Sequence, residues 1–109
     1  MKRGEIYTAA AKGLYAGKPP AVLVIQQDSF DATASVTICP FTTNPVDAPL
    51  LRIRIEPSVS NGLARISSLM IDKITTVSKA NLGERLGQLP DEEMLKLNRS
   101  VAVFLGIAN

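Results

Sequence analysis

The chain has 109 residues, 46% hydrophobic and 20% charged, with a formal net charge of +2, one cysteine and neither histidine nor tryptophan. That length suits one domain over residues 1–109, able to bury roughly two-thirds of its surface on folding. Without histidine, an imidazole-dependent catalytic triad, a paired-imidazole nuclease and a His-ligated zinc site are excluded, and the lone Cys39 excludes an internal disulfide framework.

Residues 2–9, with Ile6 and Tyr7, predict a short first strand. Gly13, Gly17, Pro19 and Pro20 make residues 12–20 a loop. Residues 21–25 are continuously apolar, as in a strand buried on both faces. Residues 35–41 alternate until Pro40, which predicts an edge, a bulge or a strand end there. After a loop at 43–49, residues 51–56 put Leu51, Ile53 and Ile55 on one face and Arg52, Arg54 and Glu56 on the other. Asn61-Gly62 marks a turn, two brief strands follow at 69–71 and 74–77, and a last strand is expected at 85–89.

Helical periodicity appears only after Leu89. Met94, Leu97, Val101, Ala102 and Leu105 share one face, Pro90 suits the first turn, and Asp91, Glu92 and Glu93 favour the positive end of the dipole. Gly106 is the expected stop. Short antiparallel strands closed by one helix predict a mainly β protein, a small barrel or curled sheet with the helix packed on it.

No apolar run approaches the ~20 residues of a membrane span, and Gly4-Glu5 follows the basic start where a signal peptide needs apolar residues. The free thiol is in keeping with the cytoplasm. Lys2, Arg3, Lys12 and Lys18 against Glu5 give residues 1–27 a charge of +3, a weak local preference for polyanions on an otherwise balanced chain.

The ordered pieces Arg3-Gly4-Glu5-Ile6-Tyr7, PAVLVIQQ at 20–27, Cys39-Pro40-Phe41-Thr42-Thr43, Asp72-Lys73-Ile74-Thr75-Thr76 and Leu82–Leu89 with Asp91–Met94 resemble the MazF/PemK-type toxins of bacterial toxin–antitoxin pairs across nearly the whole chain. The resemblance implies the small SH3-like barrel of the plasmid toxins, a homodimer and a cognate antitoxin. It also implies an endoribonuclease that cuts single-stranded RNA without metal or cofactor. There the ribose 2′-OH attacks the adjacent phosphorus and leaves a 2′,3′-cyclic phosphate. Such chemistry needs positioning and charge stabilisation, and neither requires histidine.

By this resemblance Thr42 is the catalytic hydroxyl, Asp72 a carboxylate near the scissile phosphate that could accept the 2′-OH proton or a plain turn residue, and Lys18 the nearest candidate for a missing cation. Relatives carry an arginine just ahead of the second strand, where this chain reads Lys18-Pro19-Pro20-Ala21, and some have an arginine at the position of Met70 or a histidine near Gly13. Lysine supplies charge without a bidentate fork. Thr43, Tyr15 and Arg54 are candidate RNA contacts; Arg52 and Arg54 could both meet RNA phosphates, although they also form the ordinary polar face of a strand. The resemblance therefore allows an impaired nuclease. The alternative is a catalytically silent relative or a protein-binding toxin. Gyrase poisons of related fold end in Trp-Gly-Ile, whereas this chain ends Phe104-Leu105-Gly106-Ile107-Ala108-Asn109.

Overall fold

The computed structural model describes residues 1–9 and 19–109. Seven strands, β1 (Glu5–Ala9), β2 (Ala21–Val24), β3 (Ser35–Thr42), β4 (Arg52–Ile55), β5 (Ser67–Met70), β6 (Thr75–Ser78) and β7 (Leu82–Gln88), precede one helix, α1 (Asp91–Phe104). All pairings are antiparallel and run β4-β5-β3-β2-β1-β7, with β6 also on β3. The mainly β architecture with a closing helix is as expected, but the sheet is open: β4 and β7 end the path.

Both faces of the central strands are buried, as the apolar run at 21–25 predicts. Ile6, Leu23 and Cys39 lie in register across β1, β2 and β3 and join Phe41, Ile55, Leu69, Ile71, Met94 and Leu97 in the larger core, beneath α1. Val22, Val24, Val36 and Ile38 face the other way, against Met1, Tyr7 and Val77. Burial pushes the Cys39 thiol up to about 12 and holds it in the neutral, unreactive form, its Sγ donating to the Met70 carbonyl at 3.4 Å.

Pro40 does not end β3. It pairs with Val22 on the β2 side, and its other side falls in a gap between partners: β6 pairs residues 35–38 and β5 pairs 41–42. A residue without an N–H fits where no ladder bond is due. β7 begins at Leu82, three residues earlier than expected. Its two glycines and three polar residues give little strand signal, yet pairing to β1 from Glu5 to Ala9 holds it.

The helix has its expected extent. Met94 and Leu97 are buried, whereas Leu105 is exposed and caps the helix. Gly106, at φ +76°, donates to the Val103 carbonyl at 3.1 Å and Ile107 donates to Ala102 at 2.8 Å, the double bond of a Schellman stop. No helix among the described residues is long and apolar enough to cross a membrane.

Arg3 and Glu5 are structural clamps. Arg3 Nε donates to the Ile25 carbonyl at 2.8 Å and Nη2 to Asn98 Oδ1 at 2.6 Å, tying the end of β2 to α1. Glu5 accepts from Arg85 Nε at 2.7 Å across β1 and β7, and its carboxyl lies below the usual range. Burial opposes that shift, but hydrogen bonds from the Lys2 amide, Arg85 and Tyr7 outweigh it.

Candidate active site

β5 lies between β3 and β4, so it brings together residues far apart in sequence. Thr42 is opposite Ser68, and Ser68 is opposite Arg54. Directly paired residues point to the same face, so Thr42, Ser68 and Arg54 form one row across three strands. Arg52, two residues from Arg54 on β4, shares that face. The opposite face carries Phe41, Leu69 and Ile55 into the core. The polar row is therefore fixed by the same alternation that buries the apolar one.

Above this row lies a cleft of about 580 Å³, walled by loop 43–49 and Ile66 and lined by Thr42, Thr43, Arg52, Arg54 and Ser68. Thr42 Oγ1 accepts from the Asn44 amide at 3.1 Å, which shapes the start of that loop. The hydroxyl proton is not used in that bond and is free to donate into the cleft. One acid, Asp47, also lines it.

The two arginines differ in restraint. Arg54 is 66% exposed and meets Glu56 at 3.8 Å, a loose surface pair. The Arg52 side chain is 13% exposed. Its Nη1 donates to the Leu51 carbonyl at 2.9 Å and to Asp72 Oδ1, while its buried Nε finds no partner among the described residues. A guanidinium tied through Nη1 to a carbonyl and a carboxylate is a cation held in one orientation.

Asp72 sits in the 3-10 turn Ile71–Lys73 between β5 and β6. It does not line the cleft and reaches it through Arg52. The hydrogen bond from Arg52 holds its carboxyl below the usual range. A carboxyl lowered in this way stabilises the fold fully above its unfolded value near about 3.9, and that contribution is lost as pH falls through the lower folded value. Asp72→Asn is therefore expected to lower the urea midpoint by a constant amount between about pH 5 and 8, the deficit shrinking only in stronger acid. A deficit that changes between pH 6 and 8 would contradict the pairing.

Of the residues singled out from sequence, Thr42, Thr43 and Arg54 share the cleft, and Asp72 joins it through a partner. Lys18 and Tyr15 lie outside the described residues. Ser68 is the residue that sequence reading did not place there, and Arg52, weighed from sequence as a phosphate contact or an ordinary polar strand residue, stands at the base of the cleft. Arg52 had a signal, its period-2 alternation with Arg54, but that names a face and not what lies opposite. Among the described residues no three acidic or cysteine side chains come together as a metal-binding group.

Residues 2–105 match the family model described as PemK-like, MazF-like toxin of type II toxin–antitoxin system. The chain is 61% identical over 108 residues to a probable endoribonuclease MazF of Mycolicibacterium smegmatis, covering 99% of each protein. It is 26% identical to an endoribonuclease MazF of Staphylococcus saprophyticus, covering 98% of this chain and 92% of that one. Its fold is similar to a solved mycobacterial endoribonuclease in complex with its cognate antitoxin, with a TM-score of 0.83, 25% identity, and coverage of 100% and 98%. A MazE–MazF structure from Deinococcus radiodurans aligns with a TM-score of 0.78 at 14% identity, covering 99% of this chain and 98% of that one, a likeness of fold. The full-length match to the family model, together with the 61% identical relative, makes this chain a member of the PemK-like, MazF-like toxin family of type II toxin–antitoxin systems.

Proposed function

We propose that the protein is a toxin endoribonuclease that cleaves single-stranded RNA in the Thr42 cleft without metal, is opposed by a cognate antitoxin, and works as a cytoplasmic homodimer. The observation that carries the reading is the convergence of Thr42 and Arg52 on one cleft. The 61% identical relative, a probable endoribonuclease, supports the activity. The mycobacterial endoribonuclease solved with its cognate antitoxin supports the partner. The exposed Val103, Phe104, Leu105 and Ile107 at the end of α1 give a homodimer apolar surface to cover.

In the proposed reaction the ribose 2′-oxygen forms a bond to phosphorus as the P–O5′ bond breaks. The 2′-OH proton passes to solvent water, and the departing 5′-oxygen takes a proton from solvent. Arg52 faces the charge that builds on the non-bridging oxygens, and the Thr42 hydroxyl donates to one of them. Asp72 positions Arg52; its lowered carboxyl makes it a weak proton acceptor. Thr43 and Arg54 hold the flanking backbone. In this arrangement Arg52, on β4, takes over the cationic role that relatives assign to an arginine ahead of β2, where this chain has Pro19-Pro20. Lys18 and Tyr15 are the contacts expected from the loop before β2.

The test is cleavage of single-stranded RNA by purified protein in excess chelator. Thr42→Ala is expected to lower the rate by about 10² while Thr43→Ala lowers it less. A wild type that cuts no RNA in chelator, or a Thr42→Ala variant that cuts at the full rate, would overturn the reading. The first outcome would leave a silent family member that acts by binding.

A further inference from the structure

The Thr42 cleft continues into a second groove. A hollow of about 360 Å³ runs between β4 and α1, and the two share Pro49, Arg52 and Arg54 as common walls. The far bank is helical: Glu93, Lys96 and Arg99 come from one side of α1. Among the described residues four cations line the groove with one carboxylate, Glu93; Arg52 and Arg54 are paired with Asp72 and Glu56, which lie outside the lining, and Lys96 and Arg99 are not paired. Although α1 begins Asp91-Glu92-Glu93, only the last of these acids reaches the groove, and both helical bases do. Lys96 and Arg99 are exposed and neither forms an ion pair among the described residues.

We infer that this β4–α1 groove is the track for the RNA backbone beyond the Thr42 cleft, with Arg54, Lys96 and Arg99 gripping successive phosphates; the inference rests on the nuclease reading. Among the described residues no aromatic side chain lines the groove, so its walls grip phosphates and offer no surface for base stacking. The four clustered cations oppose a symmetric contact between two copies centred here, which would set like charges against each other. A polyanion that already occupies the neighbouring cleft meets Arg54 again at the edge of the groove, because Arg54 lines both. The groove therefore adds affinity for long strands and nothing to the chemical step.

Lys96→Gln/Arg99→Gln tests this, since both positions are exposed on the helix and glutamine keeps helix propensity. Binding of a long uncleavable 2′-deoxy-substituted strand is measured across salt concentrations. Two lost phosphate contacts are expected to reduce the slope of log K against log salt by about 1.4. At 0.1 M salt affinity is expected to fall about 25-fold, converging with wild type near 1 M. The loss is expected to vanish as the strand is shortened to what the Thr42 cleft alone holds. An unchanged salt slope, or an equal loss on long and short strands, would overturn the inference. So would unchanged RNA binding alongside lost affinity for an acidic peptide, which would make the groove a peptide site. Because the readout is binding, failure of the groove is distinguishable from failure of cleavage.

Discussion

Arg52→Gln is expected to lower RNA cleavage at saturating substrate by about 10³, in the upper range for removal of one preorganised electrostatic contact. Glutamine stays polar and uncharged but ends two bonds short of the guanidinium nitrogens, so the charge, the planar fork and the contact with Asp72 are lost together. Arg52→Lys restores charge without the fork and is expected to recover only part of the rate. Arg54→Gln acts on a loosely held, exposed cation and is expected to raise KM more than it lowers kcat. Single-turnover rates on variants with native far-UV spectra separate these effects. Retention of the wild-type rate by Arg52→Gln would mean that the clamp on the phosphate comes from another cation, Lys18 first among them.

The second large effect concerns the frame that carries the site. Gly62 has φ +67°, a region that L side chains avoid, and a Cβ there would lie 2.1 Å from the Leu86 carbonyl oxygen. Its neighbour Asn61 is buried and ties the loop together: Oδ1 accepts from the Ser58 amide at 3.0 Å and the Leu63 amide at 2.9 Å, and Nδ2 donates to the Glu56 carbonyl at 2.8 Å. The Gln88 amide donates to the Ser60 carbonyl at 2.9 Å, so this loop fastens the end of β4 to β7. Gly62→Ala is expected to cost about 2–5 kcal/mol, from left-handed strain of about 1–2 and overpacking of about 1–3. For a domain of this size that lowers Tm by about 10 °C or more. A calorimetric Tm within about 2 °C of wild type would show that the loop moves aside freely. Such a result would contradict the close approach of loop and strand.

Much of the fold is legible from alternation and period. The apolar run at 21–25 announces a strand buried on both faces, Met94 and Leu97 announce the inner side of α1, and Gly106 announces its end. The misreadings share a cause in long-range pairing. Pro40 allows an edge, a bulge or a strand end, and local rules do not show that the answer is an unpaired edge where β3 changes partners. Residues 82–84 look unlike a strand because pairing with β1, and not their own preferences, holds them extended. The open sheet likewise depends on which strands meet, which no single segment states.

The site divides the same way. Thr42 is legible through the Cys39–Thr43 motif and Asp72 through the Asp72–Thr76 motif. Arg52 is legible only as one of two bases on a polar strand face, because its place beside Thr42 comes from β5 lying between β3 and β4 and its restraint from Asp72 reaching it across twenty residues. In the proposed reaction Arg52 supplies a cation within the cleft, whereas the stretch before β2 reads Pro19-Pro20.

If the Thr42–Arg52 cleft lets the RNA attack itself, the 2′-OH beside the broken bond is indispensable. The most direct test uses a single-stranded RNA whose cut site has been mapped, prepared again with one 2′-deoxy nucleotide on the 5′ side of that bond. In excess chelator the all-ribose strand is expected to yield a 2′,3′-cyclic phosphate and a 5′-OH end, and the substituted strand is expected to remain intact at that bond. Cleavage at the deoxy position, or no cleavage of the all-ribose strand, would contradict the account.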